Sequence, residues 1–356
     1  MPTIFHQDLR DITSKIFQAA GARSGEAVVV ADALVEANLA GIDSHGVQRV
    51  RQYIGWIEEG RVNLGAEVKI VGETDGFAVI DGGWGFGQVV GRKAMDVAIE
   101  KASRVGVGVV SVRGCCHIGR VGDYPLRAAE KGMVAMMFAN SHGAGRFVAP
   151  FGGIDRRLSA NPISVAIPRS SEPPILVDIS TCAIAEGKVR SLLNKELSLP
   201  PNCVIDGNGQ PSTDPNDLYR EPEGALLPVG GHKGFALGLV IDIVAGALSG
   251  AGCSRPTSDR PGNGFLAIVF DIAAFRERKE FDADVEQLVE YVTSSKLAPG
   301  FSEIVMPGTP EQREHELREK NGIPVDEETW RQLVETAERY GVQATASNRT
   351  EEASSE

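Results

Sequence analysis

The sequence predicts an α/β protein of the α+β kind, in which a mixed sheet follows a helical N-terminal region. Three patterns carry this prediction. Apolar residues recur at helical spacing over the first 60 residues, short β-branched runs alternate with glycine turns from residue 67 onward, and two polar helical stretches lie near the C-terminus.

In the first region Leu9, Ile12 and Ile16 form one helical stripe before Gly21. Ser24 can cap a second helix carrying Val28, Ala31, Val35 and Leu39 before Gly41, and Asp43 or Ser44 can cap a third that runs through Glu59. If that third helix begins at Ser44, then His45, Arg49 and Tyr53 fall at i, i+4 and i+8 and share one face. Farther on, strands are expected at Phe77 to Ile80, Val105 to Val112, Val134 to Phe138, Ile163 to Ile167, Ile175 to Val177 and Phe265 to Phe270. Helical stretches at Val89 to Val105 and Thr181 to Asn194 separate some of them. Pro200 to Leu227, rich in Pro, Asn, Asp and Gly, reads as a long irregular connection. The two polar helices are Pro310 to Lys320 and Asp326 to Tyr340, and residues 341–356 have a disordered composition.

A chain of 356 residues can bury a large core in two domains, or in two lobes that share segments. The net charge of -12 argues against a nucleic-acid or anionic-membrane binder, which needs a basic surface. Neither partner is expected. No positively charged segment precedes an apolar core at the N-terminus, so no secretory signal is expected. Five cysteines, two of them adjacent, suit reduced thiols in a cytoplasm better than a disulfide framework. The apolar stretch Gly234 to Gly252 contains Asp242 and five glycines, a composition for tight packing inside a protein rather than for crossing a membrane.

One segment imitates a dinucleotide site. The strand Phe77 to Asp81 runs into Gly82-Gly-Trp-Gly-Phe-Gly87, but the next glycine is Gly91, one residue out of step, and the following strand offers no acidic residue for a ribose hydroxyl. A tight turn with close helix packing is the better reading.

Four of the six histidines lie within two residues of a glycine: Ser44-His45-Gly46, Cys116-His117-Ile118-Gly119, Ser141-His142-Gly143 and Gly230-Gly231-His232-Lys233-Gly234. Histidine titrates nearest neutrality and glycine permits tight turns, so a site assembled from loops and working by proton transfer is indicated. His6 and His315 read as solvated surface. The segment after Cys115-Cys116 follows a strand and precedes a helix that Asp123 can cap, which places His117 where α/β proteins bind ligands. The contiguous trio Cys115, Cys116 and His117 cannot easily point at one ion, and no metal-ligand spacing occurs elsewhere, so no metal is expected. Asn140 and Ser141 end another strand with an amide and a hydroxyl able to bind a carboxylate or carbonyl. Ser180 and Thr181 lead into a predicted helix whose N-terminus can hold phosphate, and Lys233 adds a cation to a glycine-led helix start that suits a diphosphate. Each motif alone is equally explained as a capped helix start with glycine for turning.

Taken together, Ser44-His-Gly-Val-Gln-Arg49, His117-x-Gly-Arg-x-Gly122, Asn140-Ser141, Asn161-Pro162, Asp178-Ile-Ser, Gly231-His-Lys-Gly234 and Met306-Pro-Gly308 resemble, in order, the type 2 malate/L-lactate dehydrogenase family. That family also includes ureidoglycolate and sulfolactate dehydrogenases and diketogulonate reductases. The resemblance implies NAD- or NADP-dependent exchange of a hydride with a small 2-oxo or 2-hydroxy acid, on a non-Rossmann mixed-sheet NAD(P)-binding fold, in a homodimer with the cofactor near the interface. It places acid/base chemistry on His45 and His117, a carboxylate clamp on Arg49 and substrate contacts on Ser141 and Asn140. Cofactor contacts fall on Leu176, Val177, Asp178, Ile179, Ser180, Thr181 and Cys182, on His232 and Lys233, and on Pro307, Gly308 and Thr309. A cysteine pair precedes His117 where asparagine is common, Thr309 stands where glutamate or histidine often follows, and His142 sits at the substrate rim or has no role. The expected domains are a helical one from 1–70 with 300–340, a cofactor-binding mixed-sheet one from 71–125 with 235–299, a substrate and cofactor lobe over 126–234, and the tail. Rival readings are a metal-assisted hydrolase or lyase and a non-catalytic small-anion binding protein.

Overall fold

The computed structural model describes residues 1–142, 145–170, 172–256, 260 and 262–344. Two compact units emerge, Met1–Gly65 with Pro310–Glu356, and Ala66–Thr309. Both segments expected as a separate sheet domain and lobe lie inside the second unit, and residues 345–356 of the expected tail lie outside the described residues.

The first unit begins with β1 (Thr3–Ile4) and α1 (His6–Ala19), whose stripe of Leu9, Ile12 and Ile16 is buried together with Phe17. Helix α2 (Ser24–Leu39) starts at the predicted serine, but Arg23 occupies the cap position and Glu26 closes the turn by accepting the Arg23 N–H at 3.2 Å. The third element differs from expectation. Asp43–His45 and Val47–Arg49 form two separate 3-10 turns, and only then does α3 (Val50–Glu58) begin. His45 and Arg49 therefore precede α3 and share no helical face with Tyr53. The cause is Gly46, whose extended backbone breaks the run: a Cβ there would lie 2.3 Å from Asn38 Oδ1, the atom that accepts the Val47 N–H at 2.8 Å.

In the second unit the chain runs through β2 (Lys69–Glu73), β3 (Phe77–Gly85), α4 (Gly87–Val105), β4 (Val107–Cys115), α5 (Asp123–Ala129), β5 (Val134–Asn140), β6 (Ile163–Ile167) and β7 (Ile175–Ile179). Helix α6 (Glu186–Asn194) follows, starting later than the predicted Thr181. The stretch expected to be irregular holds β8 (Val204–Ile205), β9 (Pro211–Ser212) and β10 (Ala225–Leu226), a small sheet over its own apolar cluster of Val189, Val204, Leu218 and Leu226. Two-residue strands leave no periodicity to read. Then come α7 (His232–Asp242), which runs on into a π-helical turn at Ile243–Ala247, β11 (Asn263–Phe270) and α8 (Arg278–Thr293).

The seven-stranded sheet has the order β2-β3-β4-β11-β5-β6-β7, with β3 and β4 parallel and every other neighbour antiparallel. Its register pairs Cys115 with Asn263, Gly264 with Asn140 and Ile163 with Ile179, so the C-terminal ends of β3, β4, β5 and β7 share one edge. On one face α4 and α5 cover a core of Ile80, Val110, Val112, Met137, Phe265 and Val269. The glycine segment before α4 serves packing, since a Cβ on Gly87 would stand 2.3 Å from the His117 carbonyl oxygen. Among the described residues no helix is long and apolar enough to cross a membrane.

The chain returns to the first unit in α9 (Thr309–Asn321), β12 (Ile323–Pro324), which pairs with β1, and α10 (Glu327–Arg339), capped by the Asp326 carboxylate on the Thr329 N–H at 2.9 Å. The two histidines expected as plain surface are engaged here. Arg10 bonds both His6 Nδ1 and Glu36, and His315 Nε2 lies 3.1 Å from the other Glu36 oxygen. From α9 the buried Arg318 donates to the Asn38 carbonyl at 2.7 Å and to Asp43 at 2.7 and 3.3 Å, while Asn38 Nδ2 reaches the same carboxylate at 2.6 Å. Removing this donor in Arg318→Met is expected to lower the unfolding free energy by about 2 kcal/mol, the scale of a lost hydrogen bond to a charged group. Urea denaturation measures it, with the exposed neighbour Leu317→Ala as a control expected to stay within about 0.5 kcal/mol.

Candidate active site

At the shared edge of the sheet, β4 ends in Cys115 and passes into the loop of His117, β5 ends in Asn140 and passes into Ser141, and β11 begins at Asn263. Asn263 is buried, and its side chain joins all three. Its Nδ2 donates to the Asn140 carbonyl at 2.7 Å and to Ser141 Oγ at 3.2 Å, and its Oδ1 accepts the Ile118 N–H at 3.0 Å. One amide thus ties the loop of the half-buried His117 to the Ser141 hydroxyl. Asn140 proves to have a different place from the one expected. It is fully buried, its Nδ2 donates to Asp242 Oδ1 at 2.7 Å and to the Gly252 carbonyl at 3.0 Å, and its Oδ1 accepts the Gly264 N–H at 3.1 Å. With both amide hydrogens committed, Asn140 supports the strand end and has no side-chain N–H left for substrate.

His142, one residue on, is 3% exposed and stands edge-on to Trp84 with ring centroids 5.6 Å apart. Its Nδ1 is buried with no hydrogen-bond partner among the described residues. Burial above all, and also the nearby Arg255 charge, lowers its affinity for a proton, so the imidazole is neutral near pH 7. Arg260 places its guanidinium 4.4 Å over the Trp84 ring. Burial pushes the Cys116 thiol up to about 11 against the opposing pull of Arg260, and burial likewise raises Cys182 to about 11. Both stay protonated, which removes them as nucleophiles at neutral pH. Among the described residues no group of three His, Cys, Asp or Glu side chains is placed to hold a metal ion.

The predicted cofactor segments are drawn into two clusters. In β7 the Leu176 N–H donates to the Pro307 carbonyl at 3.1 Å, which lays Pro307 and Gly308 against Leu176, just ahead of Thr309 at the start of α9. Val177 and Ile179 flank Asp178, whose Oδ2 accepts the Gly122 N–H at 3.0 Å and lies 3.7 Å from the buried Arg120, joining β7 to the His117 loop. Past Ser180, Thr181 is not a helix start: its N–H and hydroxyl both donate to the Ala160 carbonyl at 2.9 Å, and the helix waits until Glu186. The phosphate site expected at Ser180 and Thr181 is therefore not built there. Thr181 and Cys182 instead pair with Val229 and Pro228, which lead into Gly230 and Gly231, both with left-handed backbones, and then α7. His232 and Lys233 are exposed on its first turn, with His232 edge-on to Phe151 at 5.9 Å. Two left-handed glycines, an eleven-residue helix and a lysine fit a diphosphate.

In the first unit, Ser44 Oγ lies 3.2 Å from His45 Nδ1, and Arg49 donates through Nε to the Ser44 carbonyl at 2.7 Å and through Nη1 to Gln52 at 2.9 Å. The turn that carries both is the one braced by Asn38, Asp43 and Arg318. Sequence reasoning missed Asn263, Asp242, Asn38 and Arg318. Only Asp242 left a trace, as a lone charge in an apolar run.

His142 makes a pH-dependent contribution of defined sign. Its folded pKa lies below the ordinary 6.5, so the unfolded chain takes up a proton first and unfolding free energy falls as pH drops below 6.5. His142→Gln is expected to flatten part of that acid slope in denaturation curves taken from pH 7.5 to 5; equal slopes would count against a buried neutral imidazole.

A family model described as malate/L-lactate dehydrogenase matches residues 4–334. The chain is 37% identical to L-sulfolactate dehydrogenase of Methanocaldococcus jannaschii over 329 residues, 90% of this chain and 92% of that one. It is also 37% identical to malate dehydrogenase of Pyrococcus horikoshii over 340 residues, 92% of this chain and 93% of that one. The solved sulfolactate dehydrogenase structure from M. jannaschii superposes with a TM-score of 0.87 at 34% identity, over 96% of this chain and 98% of that one. The chain belongs to the malate/L-lactate dehydrogenase family and is a hydroxyacid dehydrogenase.

Proposed function

We propose that this dehydrogenase exchanges a hydride between NAD or NADP and a small 2-oxo or 2-hydroxy acid of the malate, lactate, sulfolactate or ureidoglycolate type. The observation that carries the reading is the Asn263 junction, which holds a histidine loop and a serine hydroxyl together at the ligand-binding edge of the sheet. When bound, the cofactor supplies or accepts the hydride. Lys233, His232 and the Gly230-Gly231 turn would hold its diphosphate, with Leu176 to Cys182 and Pro307 to Thr309 alongside.

Arg49 presents a planar guanidinium, suited to the substrate carboxylate. Ser141 accepts a hydrogen bond from Asn263, which leaves its own proton to donate to the substrate. His117 or His45 exchanges a proton with the substrate 2-oxygen, and the Ser44 hydroxyl, 3.2 Å from His45 Nδ1, helps to orient that ring. The site works in a cytoplasmic homodimer. Support for the dimer comes from α8, which buries only Val289 and leaves Leu288 and Tyr291 exposed, with Phe301 exposed beyond it.

His117→Ala and His45→Ala are each expected to lower turnover by about 100-fold or more, the contribution typical of a positioned acid/base, with circular dichroism unchanged. The assay is consumption of NADH and NADPH with a panel of 2-oxo acids. If both variants kept near wild-type rates, the acid/base assignment would be wrong. Light scattering on a gel-filtration peak is expected to return twice the chain mass, and the chain mass alone would exclude the dimer.

A further inference from the structure

An acidic chain gathers three arginines around one cavity of its second unit. The cavity measures about 320 Å³ and is lined by Arg146, Arg157 and Arg255 together with Ser254, Asp242 and the apolar Leu239. Among the described residues its charges do not cancel. Arg157 pairs with Asp155 outside the lining, and Asp242 is the carboxylate of the lining, so among the described residues three guanidinium groups face two acids. Both oxygens of Asp242 are occupied, Oδ1 by Asn140 Nδ2 at 2.7 Å and Oδ2 by the Ser254 N–H at 3.0 Å. Arg146 donates to the Pro256 carbonyl at 3.0 Å, and Arg255 is exposed.

The Ser254 hydroxyl, buried in the wall, stands without a partner among the described residues, and His142 is buried at the end of β5, within the field of Arg255. Asp242 connects the cavity to that same strand end through Asn140, next to Ser141. An unpartnered buried hydroxyl beside an excess of cations is what an oxyanion would complete, by accepting the hydroxyl proton and charge-assisted bonds from guanidinium groups.

We propose that this cavity is an oxyanion subsite, which takes a carboxylate, sulfonate or phosphate carried by a ligand that extends to the end of β5. This rests on the dehydrogenase reading for the identity of the ligand. The anion is either the second acidic group of a diacid substrate or the 2′-phosphate of NADP, two sources of one chemistry.

Titration calorimetry of the full chain with inorganic phosphate tests the site without turnover. Saturable binding is expected, weakened at least tenfold in Arg255→Met and in Ser254→Ala, with most of it kept in Arg255→Lys. Steady-state kinetics then separates the sources. A tenfold fall in Arg255→Met of the kcat/KM ratio for oxaloacetate over pyruvate assigns the site to a diacid, and a like fall for NADPH over NADH assigns it to the 2′-phosphate. Phosphate binding absent from the wild type, binding unchanged in Arg255→Met, or ratios that both stay put overturn the proposal. A chain that reduces no 2-oxo acid yet loses phosphate binding in Arg255→Met would overturn the dehydrogenase chemistry and leave the oxyanion site standing.

Discussion

The central strand of the sheet is supplied late in the chain, by β11, which lies antiparallel between β4 and β5 and sets the register of both. Side chains alternate along a strand, so a slip by one residue would turn Phe265, Ala267 and Val269 away from the core under α4 and expose them. The hydrophobic pattern therefore excludes a one-residue slip. The observed register also brings Gly264 level with Asn140, while a one-residue irregularity between Asn263 and Phe265 moves Asn263 on to Cys115, so the geometry of the site edge follows from the buried apolar stripe together with that irregularity.

Four buried asparagines act as crosslinks: Asn38, Asn140, Asn161 and Asn263 are each no more than 7% exposed. Asn161 joins the loop after Ala160 to α7 by donating to the Gly238 carbonyl at 2.9 Å. An amide offers donors and an acceptor without a net charge, so it can satisfy backbone groups from two distant segments at a far smaller desolvation cost than a lysine or a carboxylate. Where a charge is buried, as in Arg318 or Asp242, several partners surround it.

Much of the fold was legible in the sequence, because strands such as Ile163–Ile167 and Phe265–Phe270 and helices such as α1 carry strong apolar periodicity. The places of His117, Ser141 and the glycine turn before Lys233 at element ends were legible for the same reason, as was the packing role of Gly87. What escaped was decided by contacts distant in sequence. His45 and Arg49 have helical spacing, yet the Asn38 side chain fills the space next to Gly46 and divides the segment into turns. Thr181 has the composition of a helix cap, yet the Ala160 carbonyl takes both its donors. Asn263 reads as a loop residue until β11 is set between its neighbours. His315 lies in a charged run, and only folding brings Glu36 to it.

The pairing of β1 with β12 has a consequence for biosynthesis. All of the sheet unit, Ala66–Thr309, is synthesised before α9, β12 and α10, whereas α1, α2 and α3 are made first and wait longest for their partners. The apolar faces of those early helices, Leu9, Ile16 and Leu34 among them, lack the late helices for most of translation. The sheet unit can thus fold as a unit during synthesis while the helical unit is completed last, which makes the nascent N-terminal helices the segment of this chain most in need of a chaperone.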